Sequence, residues 1–278
     1  LPKMAQQEQG GLIVNLASYC GRQPTPNLSL YSATKVKIFK KTTYIYLCGI
    51  KPTRSIQLMN EVTLLPVNTS PSPDDMVDCV MKNGSGSEFE LGILIATLRS
   101  TTAMMKIDCD EAKELAIHAW NSQTLCVLIG ALLNCEVAWY FQADKPADKF
   151  DAKTRLSMTY SNMHKFPSKL ETLTKRRCIY LEKNIPLAYA LVNDERFWNA
   201  TNALWVYRWN PNPAIQLSVV WGGIEALFLI EYNIKSKLST AASRFLTGTD
   251  NMVDDIKLLY QARCKAVHER KRGEKDSL

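Results

Sequence analysis

The stretch Tyr260-Gln-Ala-Arg263-Cys-Lys-Ala-Val-His268-Glu lies close to the C-terminal end of the 278-residue chain, after a long succession of helical patterns. It contains an arginine and a histidine five positions apart, Arg263 and His268. An arginine binds phosphate through a fork of donors, and a histidine titrates near neutral pH. This pair is therefore the first candidate for chemistry, and the helices that carry it decide the fold class.

The segments around this stretch have apolar residues at helical spacing, separated by short breaks. Asn210-Pro-Asn-Pro213 interrupts the pattern, Pro213 suits the first turn of the next helix, and Gly248 ends a later one. Short links between helices favour an antiparallel bundle, so we expect a mainly α fold. Helices are predicted at Arg196–Trp209, Ala214–Ile230, Ile234–Leu246 and Asn251–Val267.

Two sets of side chains in these helices have more than one interpretation. The tryptophans can stack nucleobases, but at helical spacing a place in the core or an interface is the simpler interpretation. They are Trp198, Trp205, Trp209 and Trp221. The last helix is expected to turn one apolar stripe inward, made of Val253, Ile256, Leu259, Tyr260 and Cys264.

Three stretches together carry a family resemblance. They are Trp221-Gly-Gly-Ile-Glu-Ala-Leu-Phe228, Lys237-Leu-Ser-Thr-Ala-Ala-Ser-Arg-Phe-Leu, and the stretch that ends at His268-Glu. In this order they resemble the HEPN domains of the Apea-like group, over residues 88–278 with the best match over 196–278. The resemblance implies an RNA-binding helical domain or a metal-independent endoribonuclease, with Arg263 as phosphate clamp and His268 as general base and acid. It also implies RNA, a second copy of the chain and a neutralising protein as partners.

The spacing of the pair limits how it can act. Positions five apart on a continuous helix point about 140° away from each other. Arg263 and His268 therefore converge only if the helix ends or bends between them, or if two chains each supply a pair. We expect the helix to end near Val267 and a homodimer to bring two pairs together. The alternative is an exposed helix arginine and a polar histidine at a helix C-terminus, without catalysis.

The N-terminal part of the chain has a different pattern. Leu12-Ile-Val-Asn-Leu-Ala17 is a nearly continuous apolar run, as in a strand buried on both faces of a parallel sheet. Ser18-Tyr-Cys-Gly21 follows it, and Tyr31-Ser-Ala-Thr-Lys35 starts a helical stretch that places tyrosine and lysine on one face. Leu65-Pro-Val-Asn-Thr69 is predicted to be the next strand.

This pattern over residues 1–83 resembles the short-chain dehydrogenase/reductase family, in particular its hydroxysteroid dehydrogenase-like members. The resemblance implies that Tyr31 protonates a carbonyl, that Lys35 lowers the pKa of Tyr31, and that Ser18 holds the substrate oxygen. Tyr31 and Lys35 would also bind NADP. The glycine-rich phosphate loop of the family is missing, so we expect an inactive remnant of a Rossmann fold. The alternative is an ordinary helix start with a solvated lysine.

Asn83-Gly-Ser-Gly-Ser87 is a turn-rich segment between these two parts. We predict a small α/β segment over residues 1–83, a linker over 84–87 and a helical region over 88–278. Strand-like runs largely cease after the linker, and Asp108–Asn121 and Thr124–Phe141 are predicted helices. Because Asn134 and Glu136 interrupt the second, we expect a buried helix and no membrane span.

The remaining composition indicates a cytoplasmic protein without a resident metal. The eight cysteines contain no CxxC pair, and His118 and His164 have no neighbours at ligand spacing. No cofactor is expected apart from NADP under the dehydrogenase interpretation. The net charge of +7 is compatible with nucleic acid without requiring it. The first residue, Leu1, predicts a fragment or fusion, whose helices could instead form a non-catalytic interaction module.

Overall fold

The computed structural model describes residues 42–82, 88–158, 167–230 and 232–268. The candidate dehydrogenase residues Ser18, Tyr31 and Lys35 lie outside these ranges. A sheet with helices on both faces occupies the first part of the described chain, and a group of four helices occupies the last part.

A six-stranded antiparallel sheet forms the centre of the first part, in the order β3-β4-β5-β1-β6-β7. Its central strand β1 has the sequence Thr-Thr-Tyr-Ile-Tyr-Leu-Cys, whose β-branched and aromatic residues favour a strand. A separate two-stranded pair joins β2, Ile50–Pro52, to β8, Glu171–Leu173, in parallel. The six strands are β1 Thr42–Cys48, β3 Ile56–Met59, β4 Val62–Pro66, β5 Ala103–Asp108, β6 Ala138–Ala143 and β7 Leu156–Met158.

Helices cover both faces of this sheet. Alternate side chains of β1 enter two cores, Ile45 and Leu47 on one face and Tyr46 and Cys48 on the other. This alternation is what a strand buried on both faces requires. The face of Tyr46 packs against α1, Pro73–Lys82, and α2, Glu88–Ser100, and the face of Ile45 packs against α3, Ala112–Leu133, and α4, Lys175–Ala190.

The last part of the chain consists of α5, Glu195–Val206, α6, Pro213–Phe228, α7, Ile234–Thr247, and α8, Val253–His268. All four predicted helices are confirmed, with ends within a few residues. Pro213 is in the first turn of α6, and Gly248 is the left-handed C-cap of α7, as predicted. Trp221, Leu238, Ala242 and Ile256 form the core of this part.

The prediction of a mainly α fold agrees with the structure only in part, since helices predominate but an antiparallel sheet was not expected. The predicted helix Thr124–Phe141 is wrong in its last eight residues, which is almost half of its length. The helix α3 ends at Leu133, where Asn134 adopts the left-handed conformation, and β6 begins at Ala138. The predicted helix Asp108–Asn121 is the start of the same α3, preceded by β5.

The strand pairing crosses the predicted linker. Strand β1 pairs with β5 and β6, so residues before and after positions 84–87 share one sheet. Strands β1, β3 and β4 therefore belong to the same sheet as β5, β6 and β7, whereas we expected a separate segment over residues 1–83. Leu65 does lie in a strand, but β4 pairs antiparallel with β5, whereas a Rossmann fold needs parallel neighbours.

One helix in the described part of the chain, α3, is long and apolar enough to cross a membrane by length and composition alone. Its residues Leu115, Leu125 and Ile129 belong to the core beside the sheet. About half of its most apolar window, 44%, is buried within the protein. Packing of this kind is what the core helix of a folded domain shows, so it gives little support to a membrane span.

Candidate functional site around Arg263

Helix α8 places Arg263 against α6. Asp254 and Asp255 in the first turn favour the start of the helix, where carboxylates offset the partial positive charge of the free amides. Ile256, Tyr260 and Arg263 follow at intervals of four and three residues and so lie on one face. Ile256 is buried, and Tyr260 and Arg263 are half-buried.

The predicted inner stripe of this helix is confirmed except at one position. Ile256 is buried, and Val253, Tyr260 and Cys264 are half-buried, but Leu259 is exposed. An apolar side chain is therefore left facing solvent one position before the tyrosine that enters the site. The stripe is narrower than the sequence predicted.

An aromatic pair supports the arginine. The rings of Trp221 and Tyr260 meet edge to face, with centroids 5.5 Å apart and an interplanar angle of 85°. The guanidinium carbon of Arg263 lies 5.8 Å from the centroid of the Tyr260 ring, within the range of a cation–π contact. Since Trp221 is buried, the prediction that it is a core residue is confirmed.

The charges at this site are unusual because they are not neutralised by direct contacts. The Nε atom of Arg263 and the Oε1 atom of Glu225 are both buried, and neither has a hydrogen-bond partner among the described residues. Other arginines among the described residues form ion pairs with carboxylates, as Arg177 does with Glu171. Further pairs are Arg54 with Glu182, Arg196 with Asp194 and Arg244 with Asp250.

Tyr260 lies within electrostatic reach of both charges. Burial is the main reason that its pKa is raised, the charges of Cys264 and Glu225 raise it further, and Arg263 lowers it. The phenol therefore keeps its proton at neutral pH and can donate a hydrogen bond. The guanidinium of Arg263 thus lies beside the phenol ring of Tyr260 on α8, and the carboxylate of Glu225 on α6 is close enough to act on that phenol electrostatically.

His268 is the last residue of α8. The helix runs without interruption from Val253 through Arg263 to His268, one residue beyond the predicted end. The helix therefore does not end between Arg263 and His268, which was one of the ways in which a single chain could bring the two side chains together. Because positions five apart lie about 140° apart around the axis, a second chain remains the route to a combined site.

Glu225 is the residue that the sequence analysis missed. It lies four positions after Trp221 and is the one charged residue of α6, and that isolated charge was the available signal. Its role as a neighbour of Tyr260 depends on the packing of α6 against α8. No spacing within the sequence encodes that contact.

Other candidate features lie elsewhere. Three consecutive cations, Lys175-Arg-Arg177, begin α4. Arg177 forms an ion pair with Glu171, whereas Lys175 and Arg176 are exposed. A cavity of about 320 Å³ where β1 begins and β5 ends is lined mainly by carboxylates, which repel phosphate. Its lining includes Glu61, Asp108, Asp110 and Glu114. The described residues contain no group of three or more His, Cys, Asp or Glu side chains that could hold a metal ion.

The arrangement around Arg263 has a defined chemical capacity. A half-buried guanidinium with an unused donor can bind a phosphate oxygen, and charge-assisted bonds of this kind are stronger than neutral ones. A neutral phenol beside it can donate a second hydrogen bond. Comparisons of the chain with protein-family models, with curated proteins and with solved structures find no match.

Proposed function

We propose that helices α5 to α8 form an RNA-binding region of HEPN type that acts as a metal-independent endoribonuclease. In this proposal Arg263 clamps the phosphate and His268 is the general base and acid. The observation that carries the proposal is the buried Nε of Arg263, which has no acceptor in the described part of the protein. An arginine held by an aromatic ring but unpaired with a carboxylate is available to an anion.

The energetics favour an anionic ligand at this position. A buried donor without a partner costs about 1–3 kcal/mol, and more when the group is charged. Because Nε is buried, a phosphate oxygen removes that cost only if the side chains around Arg263 move aside to admit it to the planar donor fork. Glu225 restricts the approach, because a carboxylate repels a phosphate. The RNA backbone therefore has to reach Arg263 from the solvent side of α8.

The proposed reaction follows from the two side chains. A neutral histidine accepts the proton of a ribose 2′-OH, and the resulting oxygen attacks the adjacent phosphorus. Arg263 stabilises the negative charge that develops on the phosphate oxygens. The 5′ oxygen leaves with a proton from a protonated histidine, which gives a 2′,3′-cyclic phosphate and a free 5′-OH. Base and acid are separate groups, which two copies of His268 can supply.

Exposed apolar residues support a homodimer as the active form. Phe245 is 79% exposed and Leu258 is 63% exposed, although both lie on helices with a buried side. Leu246 and Leu259 beside them are exposed as well. Large apolar side chains next to one another on a surface are typical of protein–protein contacts. A second copy that covers them would bring two α8 helices together.

The test uses the full chain with metal chelated and a fluorescent RNA that contains single-stranded and paired segments. We expect wild-type cleavage to leave cyclic phosphate ends, and we expect His268→Ala to abolish it, since general base and acid catalysis contributes about 100-fold or more. Arg263→Ala should reduce both cleavage and affinity. Arg99→Ala is the matched control, because Arg99 is exposed on α2, and it should cleave like wild type.

Two outcomes separate the alternatives. Equal cleavage by wild type and His268→Ala would remove the nuclease proposal, because the activity would then come from another source. Binding that depends on Arg263 without cleavage would leave an RNA-binding region only. The oligomeric state, measured by light scattering for wild type and Phe245→Glu, tests the dimer directly.

The second candidate is a non-catalytic interaction module. The exposed apolar residues on α7 and α8 favour it as well, because they fit a protein partner whether or not RNA is bound. Under this interpretation the contact of Arg263 with Tyr260 is structural. Arg263→Ala would then lower the stability of the protein and leave any weak RNA affinity unchanged.

A further inference from the structure

Helix α4 carries an apolar and cationic stripe on the side that faces solvent. Cys178, Leu181 and Ile185 are fully buried and attach the helix to the core beside the sheet. On the opposite side, residues at intervals of four, three, four and four continue for the whole length of the helix and into the turn that follows. They are Arg176, Tyr180, Lys183, Leu187 and Leu191, and we call them the α4 stripe.

The side chains of the α4 stripe are exposed despite their apolar character. Leu187 is 62% exposed, and Tyr180 and Leu191 are about half exposed. Ile179, on the flank of the stripe, is exposed to a similar degree. An isolated exposed leucine needs no explanation, but a row of apolar residues along one helix marks a contact surface.

The charge of this surface has one sign. Arg176 and Lys183 lie in the stripe, Lys175 lies beside it, and no carboxylate of the described residues forms an ion pair with any of them. The one acidic residue of α4 is Glu182, which is neutralised by Arg54 at 2.6 Å. Lys175 and Arg176 are in the first turn, where the helix dipole disfavours cations, so helix stability does not account for them.

We propose that the α4 stripe docks the protein on the surface of a bilayer that contains anionic phospholipids. Such a surface offers phosphate groups to Arg176 and Lys183 and an apolar interior to Leu187 and Leu191. Long cationic side chains can reach the headgroups while their neighbours enter the acyl region, and a tyrosine suits the boundary between the two. This inference does not depend on the proposed RNA chemistry.

The shape of the stripe favours a bilayer over the other anionic partners. It is a single helix of 16 residues, about 24 Å long, whose opposite side is fixed to the core. Pro186 lies inside the helix near its C-terminal end, but the stripe stays on one side from Arg176 to Leu187 and can lie along a surface. Nucleic acid would use the cations but would leave the leucines and Ile179 in water. An acidic protein segment would use both, and the experiment separates it from the bilayer.

The test is flotation of the full chain with phosphatidylcholine vesicles that either contain or lack phosphatidylserine. We expect the wild type to float only with the anionic vesicles and to be released by high salt. Arg176→Gln and Lys183→Gln should each lower the partition coefficient about five-fold. Leu187→Gln should lower it about ten-fold, because less apolar surface leaves the water.

Matched controls come from exposed residues of the same type outside the stripe. Met81 is 66% exposed on α1, at the other face of the sheet, so Met81→Gln should float like wild type. Lys113→Gln on α3 removes an exposed cation in the same way. All of these substitutions change exposed side chains, and equal thermal unfolding midpoints would show that every variant is folded.

Three results would overturn the proposal. The first is a wild type that does not float with anionic vesicles. The second is an equal loss of flotation for the stripe variants and for the matched controls. The third is capture of polyuridylate or of an acidic helical peptide that depends on the stripe while vesicles fail to bind, which would assign the stripe to that partner.

Discussion

The sheet and the C-terminal helices bury their apolar residues to very different extents. The strand β1 has neighbours on both edges and a core on both faces, so Tyr46 and Leu47 are completely buried on opposite sides. Helices α6 to α8 share a smaller core around Trp221 and Leu238. The same helices leave Phe245 and several leucines in contact with water.

The two regions are stabilised in different ways. Both faces of the sheet are covered by helices of the same chain. The C-terminal helices have apolar residues at helical spacing and residues that cap their ends, but several of their apolar side chains stay exposed unless another surface covers them. We therefore expect changes inside the sheet to cost more than equivalent changes among the helices, and the predictions below test that difference in pairs.

The largest expected effect is at Gly49. Its φ of +93° lies in the left-handed region, between β1 and β2, and a Cβ there would collide with the carbonyl oxygen of Glu136. Gly49→Ala should cost about 4 kcal/mol, from an unfavourable backbone conformation and from overpacking against backbone. Urea unfolding followed by circular dichroism measures this cost.

Gly248 provides the matched position among the helices. It also has a positive φ, +71°, but a Cβ added there would meet nothing within 4 Å. Gly248→Ala should therefore cost only about 1 kcal/mol, the conformational penalty alone. If both substitutions cost the same, the close contact at Gly49 has no energetic consequence and the comparison fails.

A leucine pair compares the two cores directly. Leu47 is 0% exposed in β1 and Leu238 is 1% exposed in α7, so the same atoms are removed from sites that look equally buried. Leu47→Ala should cost about 4 kcal/mol and Leu238→Ala about 2 kcal/mol, because half-buried surroundings can relax into the space. Equal costs would show that the helical core is packed as rigidly as the sheet.

The helices were predictable because their determinants are local. Pro213 and Gly248 mark helix ends within the sequence, and the spacing from Ile256 to Tyr260 predicts the buried side of α8. The orientation of Arg263 toward Tyr260 follows from the same spacing. The prediction that Leu259 faces inward was wrong, because an apolar residue at the edge of a stripe is buried only if another helix packs against it.

The sheet was not predictable because its determinants are distant in sequence. Thr42 pairs with Asp108, and Tyr44 pairs with Ala143, so the evidence for each strand lies far along the chain. The apolar run of α3 and that of β6 are separated only by a few residues around Asn134. The spacing of apolar residues did not show this break, so a single helix was predicted across both elements. Glu225 was missed for the same reason, since its importance depends on a contact between helices.

Two adjacent glycines in α6 sharpen the comparison within the helices. A Cβ on Gly223 would lie 2.7 Å from the Cβ of Ala203, where α5 crosses closely, whereas a Cβ on Gly222 would meet nothing within 4 Å. Gly223→Ala should destabilise by about 1 kcal/mol, because the clash exceeds the gain in helix propensity. Gly222→Ala should stabilise by about 0.8 kcal/mol, from the propensity term alone.

Changes of opposite sign in the free energy of unfolding at these two glycines would show that α5 and α6 are tightly packed, even though the helical core is small. Thermal unfolding of both variants, measured under identical conditions, gives the signs. A gain for Gly223→Ala would mean that the two helices move apart at little cost. The C-terminal helices would then be packed less tightly than the sheet in their backbones as well as in their side chains.

The smallest expected effect concerns acid. Asp194 caps α5 by accepting hydrogen bonds from the amides of Arg196 and Phe197, at 3.0 and 3.1 Å. The side chain of Arg196 and then the amide of Phe197 lower the pKa of this carboxyl. A lowered pKa stabilises the folded state above the ordinary pKa of aspartate, and that stabilisation is lost as the pH falls through the folded value.

The Asp194→Asn variant isolates this contribution, because asparagine caps a helix about as well but does not titrate. It should unfold at a slightly lower temperature than wild type at neutral pH, and the difference should disappear as the pH falls through the lowered pKa of the folded carboxyl. The sheet region keeps its own acid-sensitive carboxyl, Asp151, whose pKa is lowered chiefly by Lys145. Both proteins should therefore still lose stability in acid, and a difference that persists there would show that the charge of Asp194 contributes nothing.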